Sequence, residues 1–213
     1  MKELVKFGVA AKDYTDANYA ASETYMSHDA KLVSTPLTFP ENPFNDRVSS
    51  AKVILDLGCG VGRNLEWVME NTNAIYIGLE PNESMLQFFW THNEKYRHSD
   101  RIRLVRDFHE LRAIVKADEL PPIDVVVCTF VFQHIGFRPG ITHMNVADIT
   151  KAAQEFTAKP DGAVWIMYEH DWEEMWIDRW EEECGITFDV YERSFNYPLL
   201  TDRGLHHLII WRG

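Results

Sequence analysis

Val53-Ile54-Leu55-Asp56-Leu57-Gly58-Cys59-Gly60-Val61-Gly62-Arg63-Asn64-Leu65 decides the architecture of this chain. Apolar residues surround one acid, three glycines fall on alternate positions, and Leu65, Val68 and Met69 follow at helical spacing. The pattern predicts a buried strand, a tight turn and a helix start. Alternate glycines free the backbone for positive φ and let a ligand lie on the main chain. A dinucleotide turn reads G-x-G-x-x-G, and Arg63 stands where its third glycine would be. No Gly-Lys-Ser/Thr follows, which excludes a P-loop. Asp56 would repel a phosphate and suits a ligand that carries positive charge.

Outward from that turn, strand and helix signals alternate. Strands are expected at 52–57, 74–79, 102–106, 123–129 and 163–169, and helices at 62–71, 82–96, 108–117 and 145–158. Near-continuous apolar strands between amphipathic helices predict a parallel sheet covered on both faces. Asn82 and Asn145 are suited to N-caps. An amphipathic helix is expected from Asp171, ending at Gly185, with Trp172, Trp176 and Trp180 on one face. Two further strands are expected, at 186–195 and 205–211. Residues 1–50 read as a separate N-terminal helical segment. They carry Tyr14, Tyr19 and Tyr25 and then Pro36, Pro40 and Pro43. Residues 51–213 form the main domain.

The 213 residues, 46% hydrophobic, are enough for one domain with its own core. No apolar run has the length of a membrane span, and the first residues lack the apolar stretch of a signal peptide. Cys59, Cys128 and Cys184 are far apart and form neither a disulfide framework nor a zinc spacing, which points to a cytoplasmic protein. The net charge of −12, from 21 basic and 33 acidic residues, comes without a Lys/Arg cluster. That speaks against a nucleic-acid partner. The nine histidines show no metal-ligand spacing, so no metal is expected.

At these residues the chain resembles the class I S-adenosylmethionine-dependent methyltransferases. Their first motif, an acid, any residue and G-x-G-x-G, matches Asp56-Leu57-Gly58-Cys59-Gly60-Val61-Gly62. Ala74 to Asn82 is similar to the family's second strand, which ends in the acid that holds the ribose hydroxyls, here Glu80. Arg103 to Phe108 resembles the third strand and the acid that contacts adenine. Asp124 to Ile135 resembles strand four and its loop, and Lys159-Pro160-Asp161-Gly162 the turn before strand five. The resemblance implies a seven-stranded, mostly parallel, doubly wound Rossmann-like α/β sheet. A C-terminal antiparallel hairpin and an N-terminal helical lid would complete it.

The resemblance also assigns roles. Gly58, Gly60 and Gly62 would carry the cofactor, and Asp56 would act on its amino group or stabilise the turn. Glu80 would accept from both ribose hydroxyls. Asp107 and the Phe108 N–H would meet adenine, with an N-cap as the alternative role for Asp107. Thr129 and Phe130 would face the transferred methyl through their carbonyls. Methyl transfer from a sulfonium is an in-line displacement and needs a base only where the nucleophile must lose a proton. His134, Glu169 and His170 are the catalytic candidates. The tryptophan row could hold an amine, though packing on the sheet outweighs that reading.

Together these readings give a methyltransferase that converts S-adenosyl-L-methionine to S-adenosyl-L-homocysteine and methylates N or O of a small molecule. Two alternatives stay open: methylation of a protein side chain, and a non-catalytic partner subunit that binds the cofactor. There is no Asn-Pro-Pro-Tyr or Pro-Cys after strand four, the patterns of enzymes that methylate bases. The sequence leaves the acceptor and the oligomeric state undefined.

Overall fold

The computed structural model describes residues 45–129, 131, 146–157, 162–170, 174–185, 189–193 and 206–212. Six α-helices and seven strands occur among them. In chain order they are α1 (Asn45–Ser49), β1 (Val53–Leu57), α2 (Leu65–Asn71), β2 (Ile75–Leu79), α3 (Glu83–His92) and β3 (Ile102–Val105). Then come α4 (Phe108–Ala117), β4 (Val125–Thr129), α5 (Val146–Gln154), β5 (Val164–His170), α6 (Glu174–Cys184), β6 (Asp189–Arg193) and β7 (His206–Arg212). The strands lie side by side in the order β3-β2-β1-β4-β5-β7-β6. The first five are parallel, and β7 runs antiparallel to both β5 and β6.

Every residue of β1 is buried, as an apolar strand at the centre of a two-sided sheet must be. Its alternate side chains feed two cores. Val53, Leu55 and Leu57 join Phe108 and Leu111 of α4, Ile149 and Ala153 of α5 and Trp180 of α6. Ile54 joins Val48 of α1, Leu65 and Val68 of α2 and Phe89 of α3. Each such side chain contributes about 1.5–3 kcal/mol on full burial. Successive strands build outward in opposite directions from the β1–β4 boundary, so a crevice opens there at the carboxyl ends.

The parallel α/β core follows the expected alternation, and the differences sit at element ends. Helix α2 starts at Leu65, because residues 60–64 form the turn. The helix expected over 82–96 stops at His92 and resumes as a 3-10 turn at Glu94–Tyr96. There the Asn93 amide donates to the carbonyls of Val61 and Phe89, each at 2.8 Å, and a side chain competing for helix carbonyls breaks the run. Helix α5 ends at Gln154, because Ile123 donates its N–H to the Phe156 carbonyl and bridges Thr157. The same bridge lies outside β4, which begins at Val125. Helix α6 is described over Glu174–Cys184 and ends before Gly185, whose φ is 68°, while Asp171 and Trp172 lie outside the described residues.

Helix α1 falls inside the segment read as 1–50, yet it packs on the sheet. Val48 is buried, and the Arg47 guanidinium donates to the Gly162 carbonyl at 2.5 Å. Ala51 and Gly162 precede β1 and β5, so α1 sits at the amino edge of the sheet. The rest of that segment, Phe130, His134 and Asn145 lie outside the described residues.

Candidate functional site

The turn after β1 is built by its glycines in different ways. Gly58, Gly60 and Gly62 take φ of 67°, 54° and 83°, in the left-handed region that side chains disfavour. A Cβ on Gly58 would stand 2.4 Å from Val131, and one on Gly62 would stand 2.6 Å from Phe89. These two glycines let Val131, the second residue past β4, and helix α3 close against the turn. Gly60 is held by its N–H, which donates to Glu80 Oε2 at 3.0 Å.

Three further N–H groups around the turn are committed as well. Gly58 and Cys59 donate to the Leu79 carbonyl at 2.8 and 3.2 Å, and Gly62 donates to the Cys59 carbonyl at 2.8 Å. A phosphate cradle needs convergent free N–H donors. Here the four at Gly58, Cys59, Gly60 and Gly62 are already spent inside the protein. Beside these four the turn has two carboxylates.

Glu80 follows the last residue of β2 and is 8% exposed. Oε2 accepts from Gly60, and Oε1 accepts from the Asn82 N–H at 2.8 Å. A carboxylate has about four acceptor sites, so capacity remains for hydroxyl donors. Burial, partly offset by the N–H groups of Asn82 and Gly60 and reinforced by Asp56, raises this carboxyl to about 7.

Asp56 is buried in β1. The Tyr76 hydroxyl donates to Oδ2 at 2.7 Å, and the Asn64 amide donates to both oxygens at 3.2 Å. Burial raises its carboxyl to about 6 against these two donors. The acid therefore ties β1 to β2 and to the start of α2, which is the turn-stabilising role. Asn64 makes no side-chain cap bond: its Nδ2 holds Asp56, and its Oδ1, the atom a cap would use, is buried without a hydrogen bond among the described residues. Burial, then the charges of Asp56 and Glu80, hold the Cys59 thiol well above its ordinary value, so it is no nucleophile at neutral pH.

Asp107 closes β3's end of the row. Its Oδ1 accepts from the Glu110 N–H at 2.8 Å and caps α4, while Oδ2 has no hydrogen bond among the described residues. Phe108 is buried beneath it. Glu80 and Asp107 come from adjacent strands, with the Glu80 N–H donating to the Val105 carbonyl at 2.9 Å. Thr129 ends β4 opposite Tyr168. Glu169 and His170 are the last two residues of β5, in register with His207 and His206.

One edge thus carries Asp56, the glycine turn, Glu80, Asp107, Thr129, Glu169 and His170. Sequence reasoning missed Tyr76, Asn64 and Val131. Tyr76 left one signal: a phenol in a buried strand needs a polar partner. The tryptophan row resolves at Trp180, which is buried and donates to the Thr150 hydroxyl at 3.0 Å, so there it is core.

The profile of the methyltransferase domain matches residues 55–162, half of the chain and all of the turn, Glu80, Asp107 and Thr129. The chain belongs to the methyltransferase domain family. It is an enzyme of the class I, S-adenosylmethionine-dependent type. The methyltransferase shares its fold with solved structures at low sequence identity. An O-methyltransferase family protein from Burkholderia thailandensis is 13% identical, with a TM-score of 0.62 over 95% of this chain and 60% of that one. The N-terminal domain of EvdMO1 with S-adenosylhomocysteine bound gives 15% and 0.58, over 88% of this chain and 85% of that one. Magnesium protoporphyrin IX methyltransferase from Synechocystis PCC 6803, with S-adenosylmethionine bound, gives 15% and 0.54, over 93% and 83%. No curated protein matches the methyltransferase by sequence. No helix among its described residues is long and apolar enough to cross a membrane.

Proposed function

We propose that the methyltransferase binds S-adenosylmethionine across the carboxyl ends of β1 to β4. The methyl group goes to nitrogen or oxygen of a small molecule held at the ends of β4 and β5. The observation that supports this reading is the donor accounting of the glycine turn. With four N–H groups spent and Glu80 and Asp56 beside them, the turn suits a cationic ligand rich in hydroxyl donors.

Glu80 accepts from the ribose hydroxyls with the lone pairs left over from Gly60 and Asn82. Asp107 Oδ2 accepts from the adenine amino group beside the Phe108 N–H. Asp56, enclosed by Tyr76 and Asn64, attracts the ammonium through its charge and holds the turn in shape. Gly58, Gly60 and Gly62 give the main chain its close approach, and the carbonyls of Thr129 and Phe130 face the methyl group. Bound there, the cofactor supplies an electrophilic methyl on a sulfonium. His134, Glu169 and His170 are the candidates to meet the acceptor and to take its proton.

The antiparallel β6 and β7 form the closing hairpin of the family sheet, and the N-terminal segment forms a lid over the acceptor. Helix α1 lies at the amino edge, so the chain must cross the sheet to supply that lid. Five residues of β1 span about 17 Å. Ten extended residues, 35–44, reach up to about 33 Å, enough to bring residues 1–34 to the carboxyl edge. The test is release of S-adenosylhomocysteine when the enzyme and S-adenosylmethionine meet a panel of small amines, phenols and carboxylic acids. Product with at least one of them is expected. A panel without turnover, together with transfer to a protein substrate, would overturn the small-molecule reading.

A further inference from the structure

Acids as buried as Asp56, which is 1% exposed, are almost never left without partners. The donors to this one are the Tyr76 hydroxyl, at 2.7 Å on Oδ2, and the Asn64 amide, at 3.2 Å on both oxygens. Both donors are neutral, and among the described residues no Lys, Arg or His pairs with Asp56. A cationic partner would cancel the field of the carboxylate. Neutral donors stabilise the charge and leave its field available to a cation at the turn, where the low dielectric of the interior strengthens it.

Strand register explains how the phenol reaches the acid. Asp56 pairs with Gly78 of β2, and Tyr76 pairs with Ile54. Paired residues share a face, as do residues two apart, so Tyr76, Gly78 and Asp56 lie on one face of the sheet. A Cβ on Gly78 would stand 3.1 Å from Cε1 of Tyr76 and 2.8 Å from Cys59 Sγ. Glycine opposite the acid thus leaves the room that the tyrosine ring uses. Phe89 of α3 packs against the ring, with centroids 6.3 Å apart. Burial first, then the charge of Asp56, holds the Tyr76 hydroxyl well above its ordinary value, so it stays a donor at neutral pH. The other groups around Asp56 are Val127 of β4, in register with it, Cys59, which remains a thiol, and Glu80.

We propose that Tyr76 is a positioning residue for the cofactor's ammonium. Through the room left by Gly78, its hydroxyl fixes the Asp56 carboxylate as an uncancelled negative charge beside the turn, and so sets the preference for a ligand with an amino group on its tail. The proposal rests on the reading that S-adenosylmethionine lies on this turn, and it deepens that reading. Tyr76→Phe removes the donor and keeps the ring.

The test is calorimetry with S-adenosylhomocysteine and with its deamino analogue, which keeps adenine, ribose, thioether and carboxylate and lacks only the ammonium. The ratio of the two affinities reads the ammonium, and the titration of Glu80, common to both ligands, cancels in it. In wild type the ratio should rise with pH as Asp56 ionises and level off above about 6. Loss of one hydrogen bond to a charged acceptor changes its ionisation by about tenfold. In Tyr76→Phe the rise should therefore move to higher pH, with the ratio near pH 6 falling about fivefold and affinity for the deamino analogue retained. Asp56→Asn should remove the pH dependence of the ratio, and Tyr76→Phe should add nothing in that background. Should Tyr76→Phe fail to fold, fluorotyrosine in place of Tyr76 keeps the shape and strengthens the donor, and the rise should move to lower pH. Equal weakening of both ligands in Tyr76→Phe, or an unchanged ratio, would make the phenol a packing residue and overturn the proposal. An unmoved rise in the fluorotyrosine protein would overturn it too. Wild-type enzyme that binds no S-adenosylhomocysteine, or Asp56→Asn that keeps the wild-type ratio, would overturn the site reading and the proposal with it, which distinguishes the two failures.

Discussion

Burial raises Glu80 from 4.5 to about 7 and Asp56 from 3.8 to about 6. For each, the folded value lies above the unfolded one. The unfolded chain therefore gives up these protons first, and the stability they contribute is present below about pH 4 and lost as pH rises to about 7. Thermal melts of the ligand-free enzyme should show this loss, and Asp56→Asn should remove the part that falls between pH 4 and 6. Ligand binding has the opposite sign. On the proposed reading ribose hydroxyls donate to the ionised carboxylate, so affinity for S-adenosylhomocysteine should rise with pH, by up to about tenfold per unit, and level off above 7. Glu80→Gln should flatten that profile. Glu80→Ala should cost about 1.5–3 kcal/mol of binding in a protein that still folds. Glu80 was legible because it lies 18 residues beyond Gly62 at a strand end. The partners of Asp56 were not. Tyr76 and Asn64 reach it only through the β1–β2 register and the path of the turn, which spacing along the chain does not encode.

Among the elements, α4 separates two roles carried by one carboxylate. Asp107 caps the helix with Oδ1, and Oδ2 is the atom we propose meets adenine. Asp107→Ser keeps a capping oxygen but shortens the reach. Its melting temperature should stay close to wild type while affinity for S-adenosylhomocysteine falls, and Asp107→Ala should lose about 1 kcal/mol of stability as well. Equal affinity in Asp107→Ser and wild type would leave the cap as the residue's sole role. Gly62→Ala puts a methyl into Phe89 and Asn93 at positive φ, so it should destabilise the fold by about 1–3 kcal/mol, read in a denaturant titration. Alternation of apolar and polar residues located the parallel strands and their helices. It missed the break at Asn93 and the early end of α5, because both depend on contacts with Val61 and Ile123, distant in sequence.

For the whole molecule, strand direction matters most. Five parallel strands put every residue that follows a strand on one edge, which is why scattered motifs at 56–62, 80, 107, 129 and 169–170 converge. The alternation implied a parallel sheet and two final strands, and only the resemblance implied that those two close the sheet as an antiparallel hairpin. The position of α1 was not legible, since Arg47 gains its meaning from Gly162, 115 residues away, and Val48 from a core shared with Ile54 and Phe89. Deleting residues 1–30 leaves α1 and the sheet intact. The truncated enzyme should bind S-adenosylhomocysteine and lose methyl transfer, and full transfer activity in it would exclude a lid. With the N–H groups of Gly58, Cys59, Gly60 and Gly62 spent and Glu80 beside it, the glycine turn should accept a sulfonium nucleoside and no pyrophosphate. Calorimetry with S-adenosylhomocysteine and with NAD tests it most directly. One-to-one binding of S-adenosylhomocysteine, weakened in Glu80→Ala, with no heat from NAD, is the predicted result. Binding of NAD with no response to S-adenosylhomocysteine would contradict it.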